Sequence, residues 1–309
     1  MGRSGDSKSG RIHRHTVMRA FLVVAIALAT LTGGRSLSAQ PALDDLIDRA
    51  GRYVVGYESA FWVLAMDEEY VQWLERPTNP GSNLSRNNPG GGMVAGRQES
   101  RRVAKADYLL VQAGPGRGWL PFRDVLTMNG SEVNFSDDRL VRLFRSGNPD
   151  AFDLATELHE ASRKHDVGNV TRTINIPMLG MMLLHPDVRE RFTFKHEGDE
   201  SIGGREVERI GYRETTRPTL IKTTRGRDLA LTGRMWIESS TGVVVKTEMI
   251  AADPVVRAQV TVTFRRDGEL ATWVPEKMEE YYKASVAFDD IYSTSTFTTP
   301  RVFQAGSRD

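Results

Sequence analysis

The longest patterned stretch of the chain, Leu229 to Phe264, alternates apolar and polar positions with a period of two. Leu229, Leu231, Met235 and Ile237 share one parity, against Thr232, Arg234 and Glu238 on the other. Ser239-Ser240-Thr241-Gly242 interrupts the pattern, which resumes through Val243, Val245 and Met249 against Lys246 and Glu248. After Asp253-Pro254, Val256, Ala258, Val260, Val262 and Phe264 alternate with Arg257, Gln259, Thr261, Thr263 and Arg265. Alternation broken by turn residues predicts an antiparallel meander with one buried face.

The same reading extends to both sides. Leu43, Leu46, Ile47, Ala50, Tyr53, Val54 and Tyr57 form one apolar stripe at helical spacing, which predicts an amphipathic helix suited to lie on a sheet. Ala60 to Leu74 favours a strand on its aromatic and β-branched content, with a helix continuing from Tyr57 as the alternative. Residues 76–96, rich in Pro, Asn, Gly and Ser, read as a long loop. Strands are expected at Arg102–Gln112 and Leu120–Met128, the second ending at the hairpin dipeptide Asn129-Gly130. A helical insert spans 136–185. It comprises a short helix capped by Ser136, and a second with the stripe Ala151, Leu154, Ala155, Leu158 and Ala161. Between them and the next strands lie an extended piece, Arg172 to Ile176, and an apolar helix, Pro177 to Leu184, rich in Met.

From Arg191 the chain is nearly all strand: Phe192 to His196, Arg205 to Glu214, Thr219 to Lys222, the meander, Trp273 to Lys283 and Val286 to Thr298. Pro275 predicts an edge or a bulge, and 303–309 reads as a tail. The fold class is therefore α+β: a large curved antiparallel sheet with an N-terminal amphipathic helix and a helical insert, one domain over 40–302.

The N-terminus changes the charge balance. A basic leader precedes an apolar run, Ala20 to Leu31, and then Leu37-Ser38-Ala39. That order reads as a secretory signal peptide, 1–39, cut after Ala39, with an uncleaved N-terminal anchor as the alternative. The run is short for a membrane span, so membrane contact is expected only through this segment. The leader carries six of the 41 basic residues and one of the 40 acidic ones, so the remaining chain has a net charge of −4. A mildly acidic chain lacks the footprint of a nucleic-acid binder. With no cysteine, disulfides and thiolate metal sites are ruled out, and the core alone must stabilise the fold.

No catalytic constellation emerges. His159-Glu160 lacks the second His of a zinc-protease motif, and His165, His185 and His196 show no ligand spacing. No nucleophile elbow or phosphate loop occurs. Ser201-Ile202-Gly203-Gly204 reads as a hairpin turn. Glu276, Glu279 and Glu280 read as the solvated side of a strand. Catalytic residues, metal ligands and cofactors are accordingly assigned to none.

Gly233-Arg234-Met235-Trp236-Ile237-Glu238, then Thr241-Gly242-Val243-Val244-Val245-Lys246-Thr247-Glu248, form a hairpin signature. It resembles that of the periplasmic outer-membrane lipoprotein-sorting carriers (LolA-like) and of uncharacterised exported proteins of the acidobacterial kind. Trp273-Val274-Pro275-Glu276-Lys277-Met278 is similar to the same pattern. The resemblance implies a half-open barrel closed by helices, with an apolar cavity for acyl chains and a periplasmic or secreted location. The expected cavity lining is Met235, Trp236, Val260, Val262 and Phe264 from the sheet, with Met178, Met181 and Met182 from the insert. The expected function is non-enzymatic binding of a lipid or lipoprotein acyl chain. The alternative is an envelope interaction protein with a filled core, and a hydrolase comes last. Candidate partners are thus a lipid, a lipoprotein or an envelope protein.

Overall fold

A computed structural model describes residues 39–77, 97–114, 118–133, 138–168, 170, 172–223, 225–254, 256–284 and 290–303. The leader, nearly all of the Pro/Gly/Asn-rich loop and the tail beyond Phe303 lie outside the described residues. The chain divides into two compact units, Met1–Asp45 and Leu46–Asp309. The second unit holds the sheet. No helix among the described residues is long and apolar enough to cross a membrane, which says nothing of spanning strands.

Helix α1 runs Ala39–Ala60 and strand β1 Val63–Pro77. The strands that follow are β2 (Arg97–Gln112), β3 (Trp119–Met128) and β4 (Ser131–Glu132). The insert contains α2 (Arg139–Arg145), α3 (Ala151–Arg163), α4 (Leu179–Met182) and α5 (Pro186–Arg189). Next come β5 (Phe192–Ile202), β6 (Arg205–Glu214) and the short pair β7 (Ile221–Lys222) and β8 (Asp228–Leu229). The meander is β9 (Leu231–Glu238), β10 (Val244–Ala252) and β11 (Val256–Arg266), followed by β12 (Trp273–Ala284) and β13 (Asp290–Phe303).

Eleven strands form one open, curved antiparallel sheet in the order β4-β3-β2-β1-β13-β12-β11-β10-β9-β6-β5. The last strand, β13, inserts between β1 and β12 and so joins the two halves of the chain. Asn129 and Gly130 both take positive φ, 49° and 82°, in the hairpin turn where that dipeptide places it. Pro275 sits opposite a register shift between Thr263 and Phe264. The expected bulge is therefore real, and it lets a proline stand in a central strand.

The two faces of the sheet bury different things. On the Val63 face, Val63, Ala65, Leu109, Val111 and Phe122 pack against Leu140, Val141 and Phe144 of α2 and Ala151 and Ala155 of α3. The other, the Tyr70 face, is covered by the later part of the insert. There Gln72 Nε2 donates to the carbonyl of His165 and its Oε1 accepts from Val167 N–H. Farther on, Gly180 lies against Thr247. The insert thus starts on one face and ends on the other, with α3 passing the edge strand β3. His159 Nδ1 accepts from Arg123 N–H, and Ser162 Oγ from Val125 N–H, at 3.2 Å each. These bonds satisfy donors that an uncovered edge would leave free for another chain.

Several boundaries differ from the expectation. β1 and β2 extend to Pro77 and from Arg97, because paired backbone outlasts the apolar pattern. The cap of α2 is Asp138, in the left-handed conformation, and Ser136 lies outside the described residues. In α3 the buried positions are Ala151, Ala155 and Ser162, while Leu154 stays exposed. Small residues let α3 approach the β3 edge closely. Arg172 to Ile176 forms no strand. The apolar helix expected at 177–184 is a single turn, α4, and His185 then caps α5 by accepting from Asp187 N–H. Leu229 falls in the small β7–β8 ladder, not in the meander.

Candidate functional site

The register assembles the Tyr70 face into rows that cross the strands. One row runs Tyr70, Ser295, Met278, Val262, Thr247, Met235 and Ile210. The next runs Gln72, Ser293, Glu280, Val260, Met249, Gly233 and Tyr212. Both rows are polar on β1 and β13 and mainly apolar from β11 onward, where the buried Thr247 interrupts the first row. The polar end comes from the Ser/Thr-rich β13, whose Ser293 and Ser295 are fully buried. Alternation placed Ile291, Ser293, Ser295 and Phe297 on one face, but gave no reason to bury the two serines.

Met235, Val260 and Val262 stand in these rows, and α4 lies over Thr247, between Met235 and Val262. Met178, Met181 and Met182 are all buried in and beside that turn. Phe264, also buried, continues the parity of Val260 and Val262. Trp236 departs from the expected set. It neighbours Met235 in an extended strand and therefore points to the opposite face. There it packs with Val207, Val243 and Val245, and its Nε1 donates to Glu200 Oε2 at 2.8 Å.

The glycines of the hairpin signature have local causes. A Cβ on Gly233 would lie 1.9 Å from the carbonyl oxygen of Glu248 and 2.7 Å from the Tyr212 hydroxyl. The absent side chain lets Tyr212 Oη donate to that carbonyl at 3.0 Å. Gly242 takes φ 77° and lies against the backbone of Arg49 in α1. The signature therefore fixes a hairpin and the seat of a helix.

The polar end of the face holds two buried charge systems. Arg123 grips Glu68 through Nε and Nη2 at 2.6 and 2.8 Å, and Ser295 Oγ donates to the same carboxylate at 2.6 Å. The Arg123 guanidinium also stacks 4.1 Å over the Tyr70 ring, so this pair is held on every side. Beside it, Arg172 from the insert donates through Nη2 to Gln72 Oε1 and to the Val167 carbonyl. Arg172 pairs with Asp166 at 2.9 Å and approaches Glu280 at 3.9 Å. Tyr282 Oη donates to Glu280 Oε2 at 2.6 Å.

Glu280 reverses an expectation. Sequence reasoning placed it with Glu276 and Glu279 on a solvated strand side, yet it is 3% exposed. Strand parity separates Glu279 from Glu280, and only Glu280 faces the insert. Burial pushes its carboxyl above the usual range, against the opposing pull of Arg172.

Of the histidines, His159 caps the β3 edge, and burial followed by the Arg123 charge lowers its pKa, keeping Nδ1 free to accept. His196 stands on the exposed β5–β6 hairpin with Asp199 and Glu208, their ligand-type atoms within 4.8 Å of one another. The spacing arises across two strands and was invisible along one. A hollow of about 680 Å³ lies between α2 and α3, floored by Leu143, Leu154 and Leu158. It uses none of the residues expected to line a cavity.

No family model matches this chain, and neither does any curated protein. Its course is similar to that of solved structures. One, from Vibrio parahaemolyticus, is described as an outer membrane lipoprotein-sorting protein domain. It shares 12% identity over 84% of this chain and 94% of its own, with a TM-score of 0.36. A DUF1329 family protein from Desulfovibrio piger shares 9% identity over 86% and 95%, TM-score 0.32. A LolA superfamily protein from Nitrosomonas europaea shares 7% over 86% and 93%, TM-score 0.29.

Proposed function

We propose that this is an exported, non-enzymatic binding protein that holds an apolar chain between the Tyr70 face and the covering insert. The observation that supports it is the graded polarity of the rows. Val260, Val262, Met249 and Met235, with Thr247 among them, lead through Met278 and Glu280 of β12 to the buried hydrogen-bonding groups on β13 and β1. A surface that is oily at one end and polar at the other suits an amphipathic lipid or lipoprotein acyl group. Val260, Val262, Met235 and Phe264 would line its apolar part, with Met178, Met181 and Met182 as an adaptable cover. The basic, then apolar, leader supports a periplasmic or secreted location.

A second reading, an envelope interaction protein with a filled core, is favoured by one contact. A Cβ on Gly180 would lie 2.7 Å from Thr247 Oγ1, so α4 packs tightly on the sheet. Native mass spectrometry of protein purified from its own envelope separates the two. A retained acyl lipid is expected. Lipid-free protein that co-purifies with another envelope protein would replace the first reading with the second.

A further inference from the structure

Resting on that reading, we propose that the polar end of the Tyr70 face recognises an uncharged carbonyl, the ester or amide of an acyl chain, through Tyr70, Arg172, Glu280 and Ser293. Tyr70 Oη, Arg172 Nε, Glu280 Oε1 and Ser293 Oγ all lack a well-formed hydrogen bond among the described residues, although Tyr70 stands near enough to Glu280 to act on its carboxyl. None of them is at the surface. Tyr70 and Ser293 are 1% exposed, and the Arg172 side chain 3%. A buried polar atom left unmatched costs about 1–3 kcal/mol, and native interiors hold few of them. Here they are neighbours. Ser293 and Glu280 are direct cross-strand partners, Tyr70 stands in the next row, and Arg172 reaches over both from the insert.

The chemistry of the cluster selects the ligand. Two hydroxyls and a guanidinium N–H are donors. The matching group is therefore an acceptor. The charges nearby are already balanced, Arg172 by Asp166 and Arg123 by Glu68. A carboxylate would bring an uncompensated buried charge, which is costly, whereas a neutral carbonyl would not. From the polar groups on β13 the rows cross four strand spacings to β9, about 19 Å. That is enough for a long acyl chain attached at the carbonyl.

The test uses the purified, delipidated full-length chain and displacement of a fluorescent naphthylamine probe. Methyl palmitate, palmitate and the alkane of equal length are compared. The ester is expected to bind tightest of the three. In Tyr70→Phe and in Ser293→Ala, the ratio of ester to alkane affinity is expected to fall by about three- to tenfold. Melting curves show whether each variant is folded, and two variants guard against the loss of one. Equal affinity for ester and alkane, an unchanged ratio in both folded variants, or tighter binding of palmitate would each overturn the proposal. Failure of every compound to bind, the alkane included, would instead overturn the carrier reading beneath it. Monopalmitoylglycerol and an N-palmitoylated peptide both carry the required carbonyl, and the tighter binder names the source as lipid or acylated protein. If the ester binds and neither of these does, the site does not serve acyl compounds of biological origin, and the proposal fails.

Discussion

At the scale of single residues, the buried charges decide most. Glu68 and Arg123 form a two-point ion pair with almost no solvent contact. Glu68→Gln would leave the guanidinium charge buried without its counter-ion. The expected cost is about 3–5 kcal/mol, read from urea unfolding, with part recovered in the double variant Glu68→Gln/Arg123→Met. On the opposite face, Asp67, Asp107 and Asp124 stand in one row across β1, β2 and β3. Burial raises the Asp107 carboxyl from 3.8 to about 6, against the hydrogen bond it accepts from the Asp138 N–H and the pull of Arg301, with the Asp138 and Asp124 charges adding to the rise. A raised acid binds its proton more tightly when folded. Its contribution is complete below about pH 4 and is lost as pH rises through 6. The loss is roughly 3 kcal/mol at most. Asp107→Asn can still accept the Asp138 N–H and stays neutral. The variant is therefore expected to gain melting temperature over the natural protein at pH 8, and to show little difference at pH 4. An equal shift at both pH values would show that Asp107 does not titrate in this window.

At the scale of elements, α3 works as an edge guard. His159 and Ser162, three residues apart, place two acceptors over alternate backbone N–H groups of β3. The double variant His159→Ala/Ser162→Ala removes both while leaving Ala151 and Ala155 packed on the sheet. Each lost bond is expected to cost about 0.5–1.5 kcal/mol, and the opened edge should raise self-association. Light scattering against concentration checks this, and a monomeric variant would show that the edge is protected by other means. The elements also show where periodicity is informative. The β11 pattern from Val256 to Phe264 is obeyed by Val260, Val262 and Phe264, because that face of the strand is closed off from water, even where the cross-strand partners are Glu280 and Thr247. In α3 the stripe misleads, because the helix meets a strand edge that requires small residues and side-chain acceptors.

At the scale of the whole molecule, the ligand reading carries a stability consequence. Anything bound only by the folded chain stabilises it by mass action, about 2.7 kcal/mol at a hundredfold excess over Kd. Protein taken from its own envelope is therefore expected to melt several degrees higher before delipidation than after, and to recover on return of the extracted lipid. Identical melting would argue for a core already filled by the insert. The histidine cluster on the β5–β6 hairpin and the hollow between α2 and α3 lie away from the Tyr70 face and play no part in this reading.

The sequence by itself determined the strands, the hairpin turns, the bulge at Pro275 and the amphipathic opening helix. Each is set by neighbours within a few positions: side-chain parity, a dipeptide that tolerates positive φ, a ring that fixes it. It also marked Met235, Val260, Val262 and Phe264 as one-sided. Only the tertiary structure decided that Glu280 faces inward beside Ser293, and that Trp236 turns away from Met235's side. It also decided that an arginine from the insert meets a glutamine a hundred positions earlier. Those meetings depend on which strand lies beside which, and on the path of the insert round the β3 edge. Long-range pairing of that kind leaves no period along the chain.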